Sequence, residues 1–257
     1  MLYNGFLRKM SAVRSNKADP IQEQRVECQK CSLFRICLPK SVAPEDLTAL
    51  DAIIVRRKPA SRGQFLFKAG DRFSAIYAVR SGSIKTYRND TEGNEQICGF
   101  HLPGELVGLD GIVGETSSSY AKMLNTTSVC EIPFDKLESL LPKVPQLQKE
   151  LTRLLSREIV TSQWQLSLLG SKKADARVAA LLCDISDRLH QRGYSSTDFS
   201  LPMSRADIGN FLGLTIETVS RIFTRFQKQQ LISAEGRQIS IIDLEQLRQL
   251  GGYTSFH

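Results

Sequence analysis

Between about Ser41 and Lys143 the apolar residues come in short runs separated by glycines. Phe65-Leu66-Phe67 precedes Gly70, and Ile76-Tyr77-Ala78-Val79 precedes Gly82. Ile84 to Tyr87 leads to Gly93, Ile97 to Leu102 leads to Gly104, and Ser128 to Ile132 closes the series. Runs of roughly four to six residues, rich in β-branched and aromatic side chains and broken by turn residues, predict an antiparallel barrel or jelly roll. Pro142 and Pro145 mark its end.

The period then changes. From Pro145 to about Gly170, Leu151, Leu155, Ile159, Ser162, Leu166 and Leu169 step by four and three, which puts them on one helical face, and Leu147 and Leu154 widen the stripe. A helix of ~25 residues is ~37 Å long, more than packing on a small barrel requires. The stripe fits either a helix lying on the barrel or a two-helix dimer seam, and its length favours the seam.

From Ser171 onward the pattern is that of a small helical domain. Ala174 to Leu189 reads as a helix burying Val178, Leu181, Leu182 and Ile185, ended by Gly193. Ser204-Arg205-Ala206-Asp207 is a capping box that opens a second helix, which runs through Ile208 and Phe211 to Gly213. Thr215 is a good N-cap for a third, continuing through Phe226. Glu235-Gly236 turns a hairpin between Leu231-Ile232 and Ile239-Ser240-Ile241. Helix, turn, helix and hairpin make a winged helix-turn-helix.

At 257 residues the chain is long enough for one large or two modest domains. No apolar stretch approaches the ~20 residues needed to cross a bilayer, and Met1 to Pro20 lacks the apolar run of a signal peptide, so the expected location is the cytoplasm. The net charge of +7 suggests a nucleic-acid partner but does not locate it. Residues 1–40 hold eight Lys/Arg against three Asp/Glu, whereas residues 41–170 balance at fifteen each and residues 171–257 hold eleven against nine.

Six cysteines add chemistry. Cys28, Cys31 and Cys37 read Cys-x2-Cys-x5-Cys, a spacing that lets one loop present three thiolates to a common point; Cys130 lies far downstream. A fourth thiolate would complete the set that either a [4Fe–4S] cluster or a tetrahedral zinc requires. Buried small hydrophobes are the alternative. The polar neighbours Glu27, Gln29, Lys30 and Ser32 favour a loop. Cys183 follows Ala179-Ala180-Leu181-Leu182 and reads as helix core; Cys98, after Ile97, also reads as structural. The three histidines, His101, His190 and His257, form no catalytic constellation, and no phosphate loop or GxGxxG is present, which argues against an enzyme.

The early residues of the third helix are those a helix-turn-helix turns toward base edges. Ile216, Glu217, Thr218, Ser220 and Arg221 hold these positions. The Arg221 fork matches guanine O6 and N7, Glu217 can accept from cytosine N4, and Ser220 can reach a base or a phosphate. Glu217 and Arg221 are four apart, a spacing at which an ion pair would fix the fork. Arg225 and Lys228 suit phosphates.

Ile216-Glu217-Thr218-Val219-Ser220-Arg221 resembles the recognition helix of the oxygen-responsive fumarate and nitrate reduction regulator (FNR) family, within the cyclic-AMP receptor protein superfamily. Gly99-Phe100-His101-Leu102, Cys130-Glu131-Ile132-Pro133-Phe134 and Arg205-x-Asp207-Ile208-Gly209-Asn210-x-Leu212-Gly213-Leu214 also look like the family's, so the resemblance covers about Cys28 to Gly252. It implies an α+β chain: a cysteine-rich cluster-binding segment at 1–40, a β-roll (jelly-roll) sensor domain at 41–143, a dimerisation helix at 144–170 and a winged helix-turn-helix at 171–257. It implies a [4Fe–4S] cluster on Cys28, Cys31, Cys37 and Cys130, whose conversion by oxygen inactivates the homodimer. It further implies TTGAT-like palindromic half-sites read by Glu217, Ser220 and Arg221, contact with RNA polymerase, and control of genes for the shift between aerobic and anaerobic metabolism. The alternative keeps the fold and replaces the cluster with structural zinc.

Two departures from the superfamily matter. Ser117-Ser118-Ser119-Tyr120 lacks the arginine with which the cyclic-nucleotide branch holds its phosphate, so no cyclic nucleotide is expected. Oxygen-labile members of the family carry an Asp on the dimer stripe where this chain has Ser162. Two facing hydroxyls cost far less to bury than two facing carboxylates, so the predicted brake on the cluster-free dimer is weaker.

Overall fold

The structure, a computed structural model, describes residues 27–255. A short 3-10 turn at Cys28–Lys30 leads to α1 (Pro44–Ile53). Eight strands follow: β1 (Val55–Arg56), β2 (Phe65–Phe67), β3 (Ala75–Ser81), β4 (Ile84–Asn89), β5 (Glu95–His101), β6 (Leu106–Val107), β7 (Tyr120–Met123) and β8 (Ser128–Pro133). They form two four-stranded antiparallel sheets, ordered β1-β8-β3-β6 and β2-β7-β4-β5. Phe67, Val79, Ile84, Met123 and Val129 fill the space between the sheets. The glycine-punctuated runs thus become a β-roll. The helix α1 was not anticipated; its weakly amphipathic sequence buries only Leu47 and Leu50.

After α2 (Phe134–Leu140) comes the long helix α3 (Pro145–Ser171), then α4 (Ala174–His190), β9 (Asp198–Ser200), α5 (Arg205–Leu212) and α6 (Ile216–Lys228). The hairpin β10 (Ile232–Glu235) and β11 (Gln238–Ile241) is the wing, and β9 joins it as a third strand. The last helix is α7 (Leu244–Gly251). Neither β9 nor α7 was read from the pattern.

Local chemistry explains the helix-turn-helix. Ser204 Oγ accepts from the Asp207 amide at 3.1 Å, and Asp207 Oδ2 accepts from the Ser204 amide at 2.9 Å, a closed capping box. Gly213 ends α5 at φ +63°, a left-handed conformation natural to glycine. Gly209 leaves no room for a side chain, because a Cβ there would stand 2.6 Å from the Leu214 carbonyl oxygen. Thr215 Oγ1 then caps α6 by accepting from the Thr218 amide at 3.2 Å.

Two further cores matter for function. One joins Leu38, Val42, Leu47 and Leu50 to Ile132, Leu147 and Leu151, with Cys28, Cys37 and Cys130 packed against it. The other fills the helix-turn-helix and continues into the β-roll through Tyr87, Ile97 and Phe100. Polar bonds reinforce that second contact. Asn210 Oδ1 accepts from the Ile97 amide at 2.6 Å, and the Arg188 and Arg192 guanidiniums both meet Glu105.

Candidate cysteine site and nucleic-acid interface

Cys28, Cys31, Cys37 and Cys130 line a single cavity of about 40 Å³, together with Leu33, Phe34, Leu38, Leu50, Ile54, Ile132 and Arg80. All four are half-buried. Cys130 reaches the cavity from the middle of β8, where it pairs with Arg56 of β1 and Ala78 of β3. The N-terminal three are brought there by consecutive turns, Cys31 N to Cys28 O at 3.1 Å and Cys37 N to Leu33 O at 3.0 Å. Asp51, in the last turn of α1, accepts from the Cys28 amide at 3.1 Å and pairs with Arg56. No linear pattern marks Asp51 or Arg56 as part of this site.

The cavity wall is mostly apolar, and its effect on the thiols follows. Burial pushes Cys37 up to about 12. It also raises Cys28, with the Asp51 carboxylate adding to the effect, and raises Cys130 against the opposing pull of Arg56 and Arg80. Among the described residues, no three Cys, His, Asp or Glu side chains stand close enough to share one metal ion. A lone zinc would need sulfurs at about 2.3 Å from one point. Four thiols lining one cavity are the donor set that a [4Fe–4S] cluster takes, and Arg56 and Arg80, which act on Cys130, would offset the negative charge of such a group.

Cys183 is fully buried, as its helix-core reading required. Cys98 differs from expectation: it is exposed on β5, where the register shifts opposite Thr86 and Tyr87, so that Cys98 is the extra residue of a β-bulge and Ile97 and Phe100 both turn inward. His257, and Arg8, Lys9, Arg14, Lys17 and Arg25 of the basic N-terminal excess, lie outside the described residues.

On α6, Val219, Ile222, Phe223 and Phe226 are buried, while Glu217, Ser220, Arg221, Thr224, Arg225 and Lys228 form one exposed stripe. Ser220, Arg221, Thr224, Arg225 and Lys228 line a shallow groove. The anticipated Glu217–Arg221 ion pair is not formed. Glu217 folds back toward the helix start, where backbone and Thr215 hydrogen bonds lower its pKa more than Arg221 does. Arg221 instead donates from Nη2 to Thr218 Oγ1 at 3.3 Å, so Thr218 orients the fork. Arg225 is paired with Asp175 of α4. Arg205 lies 3.4 Å over the Phe223 ring and ties α5 to α6.

The stripe on α3 divides. Leu151 is already buried within the chain, and Leu155 packs against the same core. Ile159 and Leu166 remain 59 % and 71 % exposed, with Ser162 exposed between them. No helix among the described residues is long and apolar enough to cross a membrane.

A β-roll joined to a winged helix-turn-helix that exposes a cationic helix defines a DNA-binding transcription regulator. The Crp-like helix-turn-helix domain pattern matches residues 176–250, and the cyclic nucleotide-binding domain pattern matches residues 57–143. The solved structure of FixK2 from Bradyrhizobium japonicum superposes with a TM-score of 0.72 at 29 % identity, covering 79 % of this chain and 100 % of that one. Transcriptional activator protein Anr of Pseudomonas protegens is 50 % identical over 228 residues, 89 % of this chain and 93 % of that protein. The fumarate and nitrate reduction regulatory protein of Escherichia coli K12 is 46 % identical over 229 residues, 89 % of this chain and 92 % of that protein. The chain belongs to the CRP/FNR family of transcription regulators, alongside the fumarate and nitrate reduction regulators, and is not an enzyme.

Proposed function

We propose that this regulator senses oxygen through a [4Fe–4S] cluster held by Cys28, Cys31, Cys37 and Cys130, and that it binds DNA as a homodimer when loaded. The observation that carries the reading is the meeting of Cys130 with the three N-terminal cysteines in one cavity. The bound cluster would supply an oxygen-labile centre. The chain's own residues do the rest: Asp51 holds the Cys28 backbone, β8 holds Cys130, and the apolar wall limits water.

The division into a cluster-binding segment at 1–40, a sensor domain at 41–143, a dimerisation helix at 144–170 and a DNA-binding domain at 171–257 belongs to the same reading. Pairing through α3 is supported by Ile159 and Leu166, whose exposure leaves an apolar face for a second copy. Glu217, Ser220 and Arg221 read TTGAT-like half-sites, Thr218 orients Arg221, and Arg225 contacts phosphate. In the cell it acts as a cytoplasmic activator that meets RNA polymerase and shifts metabolism between aerobic and anaerobic modes. Cyclic nucleotide is not its ligand. The hydroxyls of Ser118 and Ser119 are engaged by Asp110 at 2.7 Å and 2.9 Å, which puts a carboxylate where a phosphate would need a cation, although Arg88 also reaches Ser118.

The test is anaerobic purification followed by absorbance, iron and sulfide analysis, and DNA binding before and after air. A visible charge-transfer band with about four irons per subunit, abolished by serine at any of the four cysteines and retained in Cys98→Ser and Cys183→Ala, is expected. A colourless zinc protein, or a Cys130→Ser variant with a full cluster, would refute it.

A further inference from the structure

Glu150 is a carboxylate on α3 with only 2 % of its surface exposed, set between the buried Leu147 and Leu151. Its partners explain how the charge is tolerated there. Oε1 accepts from Ser41 Oγ at 2.7 Å and from Arg153 at 2.5 Å, and Lys40 Nζ lies 3.8 Å from Oε2. Two of the three belong to the segment that leaves Cys37. That segment is stiff: the Lys40 amide donates to the Cys37 carbonyl at 3.1 Å and the Val42 amide to the Pro39 carbonyl at 3.0 Å. Leu38 and Val42 are buried on either side. Displacing Cys37 therefore displaces Ser41.

We propose that Glu150 is a positioning residue that tethers the cysteine-bearing segment to the long helix α3, so that the position of the cysteines sets the position of the dimer stripe. The inference rests on the cluster reading above for its biological meaning, and on the Ser41–Glu150–Lys40 geometry for its physical content. If the segment departs, Glu150 loses Ser41 and Lys40 and keeps only Arg153, which is 55 % exposed. The same departure takes Leu38 and Val42 out of the core they share with Leu147 and Leu151, so the first turns of α3 lose their polar anchor and part of their apolar packing together, and Leu151 and Leu155 are freed to shift. Segment and helix are thus two arrangements of one element rather than independent parts.

The full-length protein is compared with Ser41→Ala, Glu150→Gln and the double variant. Hydrogen exchange is followed without cluster, and dimer dissociation by sedimentation with and without it. Ser41→Ala is expected to speed exchange about tenfold in residues 147–155 as well as near the substitution, and the double variant to add little to Glu150→Gln. Glu150→Gln is also expected to shrink the ratio of cluster-free to loaded dimer dissociation constants about tenfold. Exchange that changes only in residues 38–42, with α3 as in wild type, overturns the tether, and so does an unchanged ratio. Should no cluster assemble, the oxygen-sensing reading fails, while the exchange data still decide the tether. Ser41→Ala deletes a single hydroxyl, so it decides the matter even if Glu150→Gln does not fold.

Discussion

Lys85 of β4 and Asp207 of the α5 capping box are joined by an ion pair of 3.0 Å, which ties the sensor sheet to the helix-turn-helix. Asp207 divides its oxygens between the two tasks: Oδ2 accepts from Ser204, and Oδ1 accepts from Lys85. Lys85 also meets Glu95 at 2.8 Å and is little exposed. Lys85→Met keeps the aliphatic stem and removes the charge. It should lower unfolding stability by about 1.5–3 kcal/mol, with a non-additive cycle against Asp207→Asn. Additive losses in urea denaturation would show that the pair carries no coupling between the domains.

Glu105 provides a pH test. Burial alone would raise its pKa, but the Arg188 and Arg192 guanidiniums override it and hold the carboxyl at about 2, below its ordinary 4.5. A folded-state pKa below the unfolded one means stabilisation that is complete above 4.5 and lost as pH falls toward 2. Glu105→Gln should cost roughly 3 kcal/mol at neutral pH. Its melting temperature should also fall less steeply than wild type below pH 4.5. Parallel pH curves for the two proteins would contradict this.

Arg221 and Arg225 should separate by the kind of loss. Arg221→Ala is expected to cost ~1–3 kcal/mol per half-site and relax preference at one guanine. Arg225→Ala should weaken all sequences alike and reduce the salt slope. Because Asp175 holds Arg225 in the free protein, Asp175→Asn should raise affinity for specific and scrambled DNA equally. Fluorescence anisotropy across a salt series checks all three. An Arg221→Ala variant that loses specific and scrambled affinity alike would remove its base-reading role.

Ser162 stands between the exposed Ile159 and Leu166 and is itself uncharged. A facing Ser–Ser pair can hydrogen-bond across a seam, whereas facing aspartates must repel or take up a proton. Air-exposed protein should therefore remain partly dimeric at micromolar concentration, and Ser162→Asp should shift it to monomer with little loss when loaded. Sedimentation decides: a fully monomeric air-exposed protein that Ser162→Asp leaves unchanged would remove Ser162 from the equilibrium.

The sequence by itself determined what depends on neighbours within about four residues. The Ser204–Asp207 box, the Gly213 stop, the Thr215 cap and the period of α3 all arise from bonds or contacts between near positions, so the pattern carries them directly. The strand runs were legible for the same reason, since alternation and turn residues are local. Tertiary structure alone decided the rest. Cys98 looked like its buried neighbours until the bulge in β5 and the docking of α5 settled which of its side chains are covered. Nothing near Glu150 or Asp51 in the chain marks either as buried or as a partner of the cysteine segment, because Ser41 is 109 positions from Glu150 and Cys28 is 23 from Asp51. The Glu217–Arg221 spacing was right for an ion pair, yet the helix N-terminus and Thr215 drew the carboxylate away. Such choices depend on which charges the fold brings together and which it removes from water, and spacing along the chain does not encode that competition.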